Sequence, residues 1–179
     1  MAGPDGRGAG SGAPHGTHGR PGFPVLRQVV LDTTDARRLA EFYRALLGLE
    51  YRVGDEPPDG DDERGRDWLV LVDASGSPVI AAQQVERLPR STWPDHALPQ
   101  QIHLDLTVPS VEALDAQHAR VLDLGGRLLL DRAQDPEEPL RVYADVSGHP
   151  FCIFVAGDER ATPGAAGVAG DKSGERSGS

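Results

Sequence analysis

The chain has 179 residues, a formal net charge of −10 at pH 7 and one cysteine. A single cysteine excludes a disulfide framework and zinc-knuckle spacing, and the negative balance argues against nucleic acid or an anionic membrane surface as partner. No apolar run approaches the roughly 20 residues that span a bilayer, and no hydrophobic signal region stands near residue 1, so a cytoplasmic location is expected.

Residues 1–24 are mostly Gly, Pro, Ala, His and Ser, and residues 157–179 are Gly, Ala, Ser and scattered charge. Neither stretch has apolar periodicity, so neither can bury enough surface to offset its ordering entropy, and both are expected to be disordered tails. Their charges cancel, which places the whole negative balance on a folded body at 25–156. That body opens with a strand expected at 25–31. Asp35 then caps a helix whose Leu39, Phe42, Tyr43, Leu46 and Leu47 recur at i, i+3, i+4, i+7 spacing, and Gly48 ends it. A short strand is expected at 49–53. The loop 54–66 carries six acidic residues and two prolines, which suits a mobile segment or a ligand entrance. Residues 68–72 and 79–85 read as a hairpin around the turn 73–78.

A linker at 86–100 leads to a second series. A strand is expected at 102–107, then a helix after Ser110 with Val111, Leu114, His118, Val121 and Leu122 on one side. Strands at 127–130, 140–145 and 150–155 follow, with a polar loop at 131–139 and a turn at 146–149. The second series repeats the first. Gln28 and His103 are 75 positions apart, as are Asp35 and Ser110, and Asp73-Ala74-Ser75-Gly76-Ser77-Pro78 echoes Asp145-Val146-Ser147-Gly148-His149-Pro150. Each copy, at about 25–85 and 101–156, is β-α-β-β-β. Neither alone can cover both faces of a four-stranded sheet, so the copies are expected to pack together in an α+β fold.

Two such modules, the helix Leu39-Ala40-Glu41-Phe42-Tyr43-Arg44-Ala45-Leu46-Leu47-Gly48-Leu49 and the closing D-x-S-G-x-P turn before a strand resemble the vicinal oxygen chelate superfamily: glyoxalase I, extradiol dioxygenases, fosfomycin-modifying enzymes and bleomycin-binding proteins. The resemblance covers 25–156 and is nearest to glyoxalase-like proteins of unassigned activity. It implies paired modules whose sheets curl around a central cavity, a small-molecule ligand and a homodimer. It also implies four inward side chains, on the first and last strand of each module, that converge on a divalent ion in metal-using members. Those positions are Gln28, His103, Cys152, and Ile80 or Ala81. An amide near the last pair, Gln83 if Ala81 points inward or Gln84 if Ile80 does, is the substitute. Gln28, His103 and Cys152 make a soft donor set without a carboxylate, so the usual metal chemistry is not expected of it.

His103 and Asp105 are two apart on a strand and project from one face, where the carboxylate can orient the imidazole for general-base work. Gln28, Gln83, Tyr143 and Trp68 are the further ligand-contact candidates, the last two as cavity walls. Cys152 between Phe151 and Ile153 reads first as a small core residue. Three functions follow. The first is proton-transfer, isomerase or lyase chemistry on an oxygenated small molecule, with His103 as base and Asp105 orienting it. The second is non-catalytic sequestration of a cationic ligand by the acidic body. The third is a metal-dependent lyase or dioxygenase with a degenerate site.

Overall fold

The computed structural model describes residues 24–95, 97 and 102–156. Apart from Pro24, the tails expected at 1–24 and 157–179 lie outside the described residues. The elements run β1 (Val29–Thr33), α1 (Ala36–Leu47), β2 (Glu50–Tyr51), β3 (Trp68–Val72), β4 (Pro78–Gln84), β5 (Leu104–Val108), α2 (Val111–Asp123), β6 (Arg127–Arg132), β7 (Leu140–Ala144) and β8 (Pro150–Val155). A 3-10 turn at Arg64–Arg66 precedes β3. The two modules are therefore β-α-β-β-β, as the repeat requires. They build two four-stranded sheets of the same topology, β1-β4-β3-β2 and β5-β8-β7-β6, each with one parallel pair between its first and last strands.

Local chemistry sets the helix ends. Asp35 Oδ1 accepts from Arg38 N–H at 3.0 Å and Ser110 Oγ from Ala113 N–H at 3.2 Å, each satisfying an orphan donor of a first turn. Gly48 closes α1 in the left-handed region at φ 67°, where a side chain is strained. Neither helix is long and apolar enough to cross a membrane.

Strand alternation gives each sheet two faces. Leu31, Ile80, Ala82, Leu69 and Leu71 of the first sheet join one core cluster with Leu39, Phe42, Tyr43 and Leu46 of α1. Tyr143, Phe151 and Ile153 of the second sheet join the same cluster with Leu114 and Val121 of α2. The modules meet there through rings, with Phe42 and Tyr43 edge-on to Phe151 at centroid distances of 5.9 and 6.4 Å. Such ring pairs add about 0.5–1.5 kcal/mol each beyond the area they bury. The opposite face of each sheet, here the open face, carries Val30 and Asp32 of β1, Ala81 and Gln83 of β4, Asp105 and Thr107 of β5, and Cys152 of β8.

Three expectations change. The first strand begins at Val29, not at residue 25, and Val25 and Leu26 are exposed. The second strand stops at Tyr51 because Asp55 takes over its pairing role: Arg52 N–H donates to Val70 O at 2.9 Å, and Val70 N–H donates to Asp55 Oδ2 at 3.0 Å. The acidic loop 54–66, expected to be a mobile segment or a ligand entrance, is tied to α1. Arg37 of α1 pins it, donating through Nε to Asp62 Oδ2 and through Nη1 to Asp55 O, both at 2.7 Å. Asp55 itself is fully buried, with Arg52 at 2.9 Å and Arg64 at 3.8 Å.

Candidate functional site

The second sheet carries the densest chemistry. β5 and β8 run parallel with Asp105 opposite Cys152, so both side chains rise from one face. His103 stands just before β5 with the parity of Asp105. Asp105 Oδ1 lies 3.4 Å from His103 Nε2 and accepts from Cys152 Sγ at 3.0 Å. One carboxylate oxygen thus serves an imidazole and a thiol. The three ligand-type atoms all lie within 4.8 Å of one another.

Burial grades the three groups. Asp105 is about half exposed, His103 is 22% exposed and Cys152 is buried. Burial pulls the His103 pKa below its ordinary 6.5, and the Asp105 charge works in the opposite direction. Burial thus favours the neutral ring, the form that can accept a proton. Burial pushes the Cys152 thiol well up, and the hydrogen bond to Asp105 and its charge push the same way. Cys152 is thus a protonated donor to Asp105 rather than a ready nucleophile.

The donor set also bears on a metal. His103, Asp105 and Cys152 supply imidazole nitrogen, carboxylate oxygen and sulfur, the mixture a borderline ion such as zinc accepts and a hard ion such as magnesium does not. The set expected from sequence lacked a carboxylate. Asp105 provides one, because its strand register places it against Cys152 as well as beside His103.

The remaining candidates separate by sheet and by face. Gln28 precedes β1 with the parity of Val30 and Asp32, and its Oε1 is buried without a hydrogen-bond partner among the described residues. A buried amide oxygen left in that state is an acceptor in reserve. Ala81 is on the open face and Ile80 in the core, so the open-face amide is Gln83, exposed between Asp32 and Trp68 in register. Gln84 turns the other way and is committed to the fold: its Oε1 accepts from Ala36 N–H at 2.8 Å and its Nε2 donates to Thr34 O at 2.6 Å. Trp68 packs on the open face beside Val70, Val72 and Ala81.

Tyr143 is not a wall of the open face. It lies in the core beneath α2, fully buried, with its hydroxyl 3.1 Å from His118 Nδ1. Burial pushes its pKa up to about 12. Arg141 shares that side, with Nη1 2.8 Å from Asp115 Oδ1 and Nε 3.1 Å from Asp131 Oδ1. A cavity of about 360 Å³ is lined by Asp131, Arg132, Ala133, Gln134, Asp135 and Arg141, and holds none of His103, Asp105, Cys152, Gln28, Gln83 or Trp68.

Duplicated β-α-β-β-β modules, with a His/Asp/Cys cluster on one sheet face, define a paired-module α+β protein. The chain belongs to the glyoxalase-like domain family, whose model matches residues 28–154. Its fold is that of the glyoxalase/bleomycin resistance/dioxygenase superfamily. The hypothetical protein SA1046 from S. aureus is 19% identical, with 74% of this chain and 97% of that chain covered and a TM-score of 0.50. A glyoxalase/bleomycin resistance protein/dioxygenase family enzyme from Burkholderia phytofirmans PsJN is 16% identical, covering 72% and 96%, with a TM-score of 0.50. The fosfomycin resistance protein FosX from Listeria monocytogenes is 16% identical, covering 76% and 97%, with a TM-score of 0.53. At these identities the likeness is one of fold. No curated protein matches the sequence.

Proposed function

We propose that this protein is a small-molecule enzyme of the proton-transfer, isomerase or lyase type, acting on an oxygenated substrate at the open face of the second sheet. The observation that carries the reading is the convergence of His103 Nε2, Asp105 Oδ1 and Cys152 Sγ within 4.8 Å. His103, whose neutral form burial favours, removes a proton from the substrate, and Asp105 stabilises the imidazolium that forms. Gln28, Gln83 and Trp68, on the partner sheet of the same chain, are the proposed substrate contacts. Were a zinc-like ion held through His103, Asp105 and Cys152 instead, it would supply Lewis acidity toward a substrate oxygen, and His103 would be a ligand rather than the base.

Solvent deuterium exchange tests this. Small 2-oxo and 2-hydroxy carbonyl compounds are incubated with the full chain in D2O and followed by NMR. Exchange is expected for at least one compound, abolished by His103→Ala and reduced by Asp105→Asn. Exchange that survives His103→Ala would remove His103 as the base. Metal content of untagged protein decides the role of the ion: stoichiometric zinc lost in His103→Ala would favour a metal-assisted reaction.

A second reading is sequestration of a cationic ligand. Exposed Asp32 and Asp105 on the open faces favour it, with Trp68 on the same sheet face as Asp32, across Gln83. Its signature is a salt-sensitive affinity for organic cations that is retained in His103→Ala, without exchange of any substrate proton.

A further inference from the structure

Both copies of the duplicated unit carry the same turn, and the fold uses the two differently. In the first copy Asp73 Oδ1 accepts from the N–H groups of Ser75 and Ser77 at 2.8 and 3.0 Å and from the Ser75 hydroxyl at 2.6 Å, in an exposed turn. In the second, Asp145 Oδ1 does the equivalent work, accepting from the N–H groups of Ser147, Gly148 and His149 at 2.8, 2.8 and 3.0 Å. Asp145 Oδ2 is spent elsewhere. The Tyr43 hydroxyl of α1 donates to it at 3.0 Å, and His149 Nδ1 lies 2.8 Å away. Ser147 Oγ sits 2.7 Å from Thr33 Oγ1 of β1.

The contrast separates what the turn needs from what it does not. Asp73 closes the turn with one carboxylate oxygen in solvent. Asp145 closes it while its side chain is fully buried, as is Tyr43. Burying a carboxylate is unfavourable unless its lone pairs are filled, and here the filling group comes from the other module. The linker adds cover: a Cβ on Gly148, at φ +100°, would come within 3.1 Å of Arg90 Cγ.

We propose that the second-copy turn is a latch between the modules. Tyr43 and Thr33 of the first module grip Asp145 and Ser147 of the second, and release of the grip loosens the start of β8. That strand begins at Pro150, directly after the turn, and carries Cys152 against Asp105. The latch is independent of what the site binds or catalyses. The first-copy turn, built on the same D-x-S-G-x-P pattern, makes no hydrogen bond to the other module among the described residues.

Cys152 is the chain's one cysteine and is 7% exposed, so its alkylation reports opening of β8. The full chain is labelled with iodoacetamide in EDTA at fixed pH. Tyr43→Phe and Asp145→Asn are expected to label about tenfold faster or more, the factor for losing one hydrogen bond to a buried charge, and Asp73→Asn to stay within about twofold. Leu69→Val, a core change in the first sheet, supplies a variant of comparable urea stability without touching the latch, and is expected to label at the parent rate. Should Leu69→Val accelerate labelling as much as Tyr43→Phe does, or should Tyr43→Phe match Asp73→Asn, the turn is no latch. Tyr43→Phe keeps its ring in the core, so it carries the test even where Asp145→Asn does not fold.

Discussion

Asp105→Asn is the most direct probe of the cluster, because one oxygen faces two groups. The substitution keeps the shape and an acceptor but removes the charge. Opposite unit charges 3.4 Å apart attract by about 1.2 kcal/mol at the dielectric of water, from ~332/(80 × 3.4). The water-like value is a floor, because Asp105 is about half exposed but His103 only 22%. Losing that attraction weakens the affinity of His103 for its proton close to tenfold or more, since about 1.4 kcal/mol is one decade. The direction follows from the fold: burial already disfavours the imidazolium, Asp105 opposes burial, and its neutralisation lets burial act alone. His103 is expected to titrate at lower pH in the variant by NMR. At the same time Cys152, relieved of a negative neighbour, is expected to alkylate about tenfold faster near pH 8. Stability follows with a definite sign. A histidine whose pKa is depressed on folding lowers stability as pH falls through its ordinary range, and the variant deepens that loss. If His103 titrates unchanged and Cys152 reacts at the parental rate, the three side chains do not share the carboxylate, and the proposed base falls with them.

Other expectations test the surroundings. Gln84→Ala, which removes two hydrogen bonds at the start of α1, is expected to cost about 1–3 kcal/mol in urea unfolding, and Gln83→Ala to stay within about 0.5 kcal/mol; equal costs would contradict the assigned faces. Arg141→Leu is expected to fold and to stay within about 1 kcal/mol of the parent, because Asp115 and Asp131 are partly solvated and such pairs contribute about 0–1 kcal/mol. A loss above about 2 kcal/mol would show that the ion pairs stabilise the fold. Asp62 sits below the usual carboxylate range because Arg37 bonds it. The stability it contributes is present above that range and fades as pH falls through its folded pKa, so the deficit of Asp62→Asn at pH 7 should vanish toward pH 2 by thermal unfolding.

Much of the fold was legible in the chain because its signals are local and appear twice. The capped, periodic helices at Asp35 and Ser110, the turns at 73–78 and 145–149, and the constant spacing between copies each follow from backbone chemistry within a few residues. The repeat then implied two sheets. Strand parity also anticipated that His103 and Asp105 share a face, since alternation is a property of one strand. It left Gln83 and Gln84 open, because parity alone does not say which face is covered. The packing of Ile80 and Ala82 against α1 resolved that.

What the chain by itself determined is the module, its duplication and the spacing of its chemical groups along each strand. The tertiary structure decided how those groups meet across strands. Cys152 reaches Asp105 because β5 and β8 pair in that register, 47 positions apart in sequence. Tyr143 left the candidate site because its face of β7 lies beneath α2 and its hydroxyl finds His118. The acidic loop folded onto Arg37 because Asp55 substitutes for backbone along β3. The physical reason is the same in each case. A strand or turn states its own periodicity, but register, face and burial are set by the partner it packs against.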